Sequence, residues 1–247
     1  LHVRSRRQRQ MCIRDSLYTE PKQRLYDKLS GMDSYSKGYI DALVDAQSHI
    51  DGYFFLEESL SPALLDAMQK VCPITPNQDG AETLAYVYSH YFLGRRATAL
   101  ARIDLLNKIS QNFDVTVYTH ADCKDILPTA IYGGKIDYYD TMPTVFQHSK
   151  INLNITLKTI QTGIPLRAWD ILGCGGFLLT NFQQELCDFF IPGEDFVYYE
   201  SPADAIEKAA YFLSHDRERQ EIAHNAFEKI AASHTFHHRV QSMFDII

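Results

Sequence analysis

The spacing of hydrophobic and polar positions changes character near the middle of the chain. From residue 17 to about 110, apolar residues recur at helical intervals in PKQRLYDKLS, YIDALVDAQSHI, SPALLDAMQKV and AETLAYVYSHYFLGRRATALARIDLLNKIS. This predicts a helical segment of roughly ninety residues. Ser61-Pro62 and Asp79-Gly80 offer helix-start chemistry before two of these runs. Nothing in the segment calls for chemistry, and it reads as scaffolding.

After Asn112 the pattern alternates. DVTVYTH, a short KIDYYD, KINLNIT, GFLLTN and FVYYE read as strands. Between and after them, MPTVFQHS reads as a helical turn, and PLRAWDILG, QQELCDFF, SPADAIEKAAYFLSH, DRERQEIAHNAFEKIAASH and TFHHRVQSMFDII read as helices. Strands alternating with helices predict an α/β domain with a Rossmann-like, mainly parallel sheet and flanking helices. The expected organisation is a segment 1–16 set apart, a helical segment 17–111, and a Rossmann-like domain 112–247.

One strand departs from the type. A parallel strand is normally covered on both faces and almost wholly apolar. In INLNIT, however, Ile151, Leu153 and Ile155 alternate with Asn152, Asn154 and Thr156. Near the strand's end, Asn154 and Thr156 would line a crevice, with Asn152 bonded to a neighbouring loop. The competing explanation is an edge strand with one wet face.

Composition adjusts this picture in three places. The first sixteen residues, LHVRSRRQRQMCIRDS, hold five arginines and one aspartate, a net +4; since the whole chain is at −7, the rest carries −7 less 4, or −11. An acidic body argues against nucleic acid as a partner. RRQRQMCIRDS looks like translated sequencing-adaptor read-through, so residues 1–16 are expected to be non-native. The five cysteines (Cys12, Cys72, Cys123, Cys174 and Cys187) show no CxxC pair, which fits reduced thiols in a cytoplasmic protein. No apolar run approaches the length of a membrane span.

Candidate chemistry concentrates after INLNIT. Ligands of open α/β sheets sit beyond the carboxyl ends of strands, at helix N-termini. There Gly163-Ile164-Pro165 leads into the helix that carries Arg167 and Asp170. Gly163 permits a tight turn, and Pro165 suits the first helical position. The helix start favours an anion, Arg167 suits phosphate oxygens, and Asp170 could accept two vicinal hydroxyls, as on a ribose. A simple intrahelical Arg167–Asp170 pair explains the same spacing. Gly173-Cys174-Gly175-Gly176 lacks dinucleotide-loop spacing and follows a helix. Asn154-Ile155-Thr156 matches a glycosylation acceptor by chance, without a secretion signal. His234, His237 and His238 lack a carboxylate or cysteine at ligand spacing, so no metal is expected. Gly-x-Ser-x-Gly, HExxH and Asp-x-Asp do not occur.

From about Phe113 onward the chain resembles the CgeB-like glycosyltransferases, the spore-maturation group allied to glycosyl transferases group 1. The resemblance rests on SKINLNITLKTIQTGIPLRAWDILGCGGFLLTN, ELCDFFIPGEDFVYYES, RERQEIAHNAFEKI and HTFHHRV. It implies the C-terminal half of a GT-B fold, a nucleoside-diphosphate sugar as donor substrate, and no cofactor. The acceptor, whether glycan, protein or small molecule, stays unknown, and no metal is implied. Related enzymes carry two acidic residues eight positions apart. Asp170 matches the second, which binds the ribose; the first falls at Thr162, which is not acidic. Arg167 would bind diphosphate, and Tyr199 and Glu200 would lie after a later strand near the same cleft. The His234–Arg239 block would be a hinge. The acceptor domain is expected to precede Leu17, leaving the catalytic base unassigned and this chain inactive by itself. Two other readings remain: a non-catalytic spore-coat or envelope assembly protein of the same fold, and a sugar epimerase.

Overall fold

The computed structural model describes residues 11–14, 24–75, 80–120 and 122–245. The chain divides into two compact units. One comprises Leu1–Asp15, Asn107–Ile155 and Thr162–Ile247; the other comprises Ser16–Leu106 and Thr156–Gln161.

The second unit is helical. A 3-10 helix, Leu25–Gly31, precedes α1 (Ser34–Ser48), α2 (Pro62–Val71), α3 (Leu84–Val87), a π-helical turn Tyr88–Gly94, and α4 (Arg95–Ser110). Helix starts are set locally by side chains that accept a first-turn N–H: Asp33 from Ser36, Ser61 from Leu64, and Thr83 from Tyr86. The third start falls at Thr83 and not at the predicted Asp79-Gly80, because the threonine hydroxyl supplies the cap; Asp79 lies outside the described residues. Leu29, Ile40, Val44, Leu56, Met68, Tyr88 and Leu93 form the core. Tyr88 is buried whole, its single hydroxyl proton placed between the Cys72 carbonyl at 2.5 Å and Gln69 Oε1 at 2.9 Å. Burial pushes its phenol up to about 12.

Residues Thr156–Gln161 pack with this unit although they follow a strand of the other. The Lys158 N–H donates to Thr98 Oγ1 at 3.0 Å, and the Lys158 ammonium meets Asp51 at 2.8 Å with its side chain only 4% exposed. A Cβ at Gly94 would collide with Thr159, so this close approach requires a glycine.

The first unit is α/β. Its strands are β1 (Met11–Arg14), β2 (Val115–Tyr118), β3 (Ile131–Tyr132), β4 (Ile151–Asn154), β5 (Leu178–Asn181) and β6 (Val197–Tyr199). They form one sheet in the order β3-β2-β1-β4-β5-β6, with every pair parallel. The expected Rossmann-like parallel sheet is present, and its strand order is that of doubly wound dinucleotide-binding folds. The sequence sets residues 1–16 apart, yet Met11–Arg14 occupies the middle of the sheet, registered on β2 and β4. Strand pairing uses backbone N–H and C=O groups, which nearly any sequence supplies, and the short apolar run Met11-Cys12-Ile13 suits a central strand, with Met11 buried in the core.

KIDYYD corrects another expectation. Residues 135–137 are irregular and lead into a turn at 138–141, and the strand lies upstream at Ile131–Tyr132. The Asp137 carboxylate accepts the N–H groups of Tyr139 at 2.8 Å and Asp140 at 2.7 Å, an Asx turn that competes with extended pairing. These bonds hold the Asp137 carboxyl below its usual range, with the Asp140 N–H the largest cause.

β4 is buried on both faces, so the wet-edge explanation fails. Asn152 Nδ2 donates to the Phe146 carbonyl at 3.0 Å and the Phe177 carbonyl at 3.3 Å. Its polar side chain serves as a buried tie to the last turn of α5 (Met142–His148) and to the residue before β5. Around this sheet lie α6 (Leu166–Gly173), α7 (Leu186–Phe189), α8 (Pro202–Ser214) and α9 (Asp216–Ser233), with α9 packed on α6 and α8; α10 (Phe236–Phe244) follows and buries none of its residues. Ala168, Ile171 and Leu172 of α6 join Phe146, Leu178, Phe190, Phe196 and Ala226 in the core. Among the described residues, no helix is long and apolar enough to cross a membrane.

Candidate functional site

In a doubly wound sheet the ligand crevice opens beyond the carboxyl ends, where the strand order reverses. Here the reversal falls between β1 and β4. The strand ends beside it are polar: Asn154 closes β4, Thr180 and Asn181 close β5, and Tyr199 closes β6. Asn154 Nδ2 donates to Thr180 Oγ1 at 3.0 Å, and the Tyr199 hydroxyl points at the Asn154 carbonyl from 3.5 Å. All four side chains are buried. They therefore make a polar floor tied strand to strand. Asn154, expected to line the crevice, has its amide nitrogen committed to Thr180, and Thr156 is buried as well. Tyr199 is the last residue of its strand and not a loop residue beyond it.

Beyond β4 the chain returns to this unit at Thr162, which is exposed. Gly163 has φ +94°, in the left-handed region that favours glycine, and its N–H donates to the Glu185 carboxylate. Ile164 and Pro165 follow, partly buried. Pro165 has ψ 136° and precedes the helix as its cap residue, so α6 begins at Leu166, one residue later than predicted. The extended Pro165 geometry explains the shift. No side chain caps this helix start, and its leading dipole favours an anion.

Arg167 and Asp170 are both partly buried on α6. Asp170 Oδ2 accepts the Tyr138 hydroxyl at 2.7 Å. The Glu200 side chain is exposed, while its N–H donates to Asp204 Oδ2 at 2.9 Å, within the cap that Ser201 builds for α8. Gly163, Ile164, Pro165, Arg167 and Asp170 thus share one loop and helix start; Asn154 and Tyr199 join in the floor; Glu200 follows β6. Tyr138, Glu185 and Thr180 carry contacts that the sequence did not single out. Thr180-Asn181, polar at the end of an apolar strand, was a legible signal. Tyr138 and Glu185 had none, since their partners lie 32 and 22 residues away.

A groove of about 430 Å³ is lined by Ser214–Glu218 and Glu221. Asp216 in it pairs with Lys150, just before β4, so it opens at the amino edge of the sheet, opposite the candidate site. Its carboxylates make it a poor host for phosphate.

His234 caps the carboxyl end of α9, its ring packed on Trp169, Phe189 and Phe190, and it accepts from Arg239 at 3.1 Å. Burial, then Arg239, then His238 push its pKa down. The native state therefore binds fewer protons than the unfolded chain, so this contribution is full above the ordinary value of about 6.5 and is lost as pH falls below it. His234→Gln, which keeps an acceptor for Arg239, is expected to flatten the acid-side loss of stability; urea midpoints at about pH 7.5 and 5.5 test this. Among the described residues, no group of three or more histidine, cysteine or acidic side chains could hold a metal.

The strand order defines a doubly wound, all-parallel α/β unit with polar residues at the carboxyl ends of its strands. A family model described as glycosyl transferase-like matches residues 95–245. The chain belongs to that glycosyl transferase-like family. Among solved structures it is similar to one titled "Crystal Structure of TarM", at 12% identity and a TM-score of 0.45, covering 58% of this chain and 31% of that one. The chain thus spans less than a third of that structure's length. No curated protein matches significantly.

Proposed function

We propose that this chain is the donor-binding part of a glycosyltransferase, corresponding to the C-terminal half of a GT-B fold of the CgeB-like type. It takes a nucleoside-diphosphate sugar and passes the sugar to an acceptor of unassigned class without a metal. The observation that carries this reading is the α6 start: an uncapped helix N-terminus behind a left-handed glycine, with Arg167 and Asp170 on the first turns. The helix dipole and Arg167 bind the diphosphate and stabilise charge on the leaving phosphate, and Asp170 accepts the ribose hydroxyls. Asn154 and Tyr199 support the strand ends beneath, and Glu200 lies at the rim.

The test is nucleotide-dependent thermal stability with UDP, GDP, ADP and TDP. A ligand at ~100 times its Kd that binds only the folded state adds about 2.7 kcal/mol. The expected result is a shift with one nucleotide, abolished by Arg167→Ala and by Asp170→Ala. Wild-type shifts in both variants would overturn the site assignment. A second reading, a non-catalytic assembly protein that keeps the fold, is favoured by Thr162, which stands where related enzymes have an acid. Sugar transfer by a protein that includes this chain would exclude it.

A further inference from the structure

The turn at Asp137–Asp140 lies outside every residue assigned above, yet it reaches the centre of the candidate site. Tyr138, 37% exposed, places its hydroxyl 2.7 Å from Asp170 Oδ2. The turn that presents it is braced. Asp137 accepts the N–H groups of Tyr139 and Asp140, the Asp137 carbonyl accepts the Met142 N–H at 3.0 Å, and the Tyr139 ring stands edge-on to Tyr138 at 5.1 Å. A carboxylate offers about four acceptor positions on two oxygens. A phenol on Oδ2 uses one of them and locks the carboxylate's rotation, while Oδ1 takes no hydrogen bond from a described residue.

We infer that Tyr138 is a positioning residue for nucleotide recognition: it holds Asp170 so that the remaining acceptor positions face a ribose diol. This rests on the reading of Asp170 proposed above. Two vicinal hydroxyls need two acceptor directions at fixed angles, and a carboxylate free to rotate about χ2 would meet them only part of the time. The phenol–carboxylate bond, charge-assisted on the acceptor side, removes that freedom before the ligand arrives. Tyr138 thereby sets discrimination between ribose and 2′-deoxyribose.

The experiment compares the dissociation constants of UDP with 2′-deoxy-UDP, GDP with 2′-deoxy-GDP, and ADP with 2′-deoxy-ADP, using the full chain. Wild type, Tyr138→Phe and Asp137→Ala are measured, with apo melting curves as a folding control. Wild type is expected to prefer the ribonucleotide of one pair, and Tyr138→Phe to lower that preference by roughly tenfold. Asp137→Ala, which loosens the turn but keeps the hydroxyl, is expected to lower it less. A wild-type preference ratio in Tyr138→Phe, with or without a lower melting temperature, overturns the inference and leaves the bond as a tie between a turn and α6. No nucleotide binding by the wild type, or no preference for ribose, overturns the role of Asp170 and this inference with it.

Discussion

Asp51→Ala is expected to destabilise the helical unit by about 3 kcal/mol, because it strands a buried ammonium. Lys158 lies 2.8 Å from Asp51 and its side chain is 4% exposed, against 19% for the aspartate. Removing the acid leaves the lysine with neither water nor counter-charge, and the loss of one partner costs far more than loss of both. The double variant Asp51→Ala/Lys158→Met is therefore expected to recover much of the lost stability, since a methionine stem fills similar space without a charge. Far-UV circular dichroism on urea titration should report the change. Fluorescence should lag behind it, because the single tryptophan, Trp169, belongs to the α/β unit. Additive losses in the double variant would show that the pair contributes nothing as a pair.

Gly176→Ala is the counterpart in the α/β unit, with an expected cost of about 3 kcal/mol. A Cβ there would sit 2.6 Å from Asn152 Nδ2, 2.9 Å from the Phe146 carbonyl and 3.1 Å from the Ile171 carbonyl. Two of the three atoms are backbone and cannot swing aside. The third is the amide that bonds the Phe146 and Phe177 carbonyls, so relief of the clash would orphan buried acceptors. Asn152→Ala should itself destabilise through those carbonyls. Because both changes act on one small region, their combination is expected to cost less than the sum. Trp169 fluorescence should follow this transition. A Gly176→Ala protein as stable as the parent would mean that the α6–β5 connection shifts easily, and would weaken the account of Asn152 as a fixed tie.

Both predictions concern contacts that no local pattern reveals. Periodicity alone identified the helical run before residue 110 and the alternating strands and helices after it, because an amphipathic helix and a buried strand each impose their own spacing. The loop and helix that carry Gly163, Arg167 and Asp170 were legible for the same kind of reason: glycine and proline act on the backbone where they stand. Capping residues were legible in part, as at Ser61, since a cap is a three-residue affair. KIDYYD misled because its apolar–polar alternation is also what an Asx turn leaves behind, and one carboxylate decided between the two.

The sequence by itself determined the class of fold, most of its elements and the stretch where a glycine–proline loop leads into a helix start. Tertiary structure decided the rest. It recruited Met11–Arg14 into the middle of the sheet, since an open pair of ladders accepts any backbone that can lie extended. It turned the asparagines of β4 inward, because helices cover both faces of the sheet there and leave no wet face to offer them. It also set Tyr138 on Asp170 across 32 residues. A hydrogen bond between side chains from different elements depends on where two separately folded segments meet, and no spacing along the chain encodes that meeting.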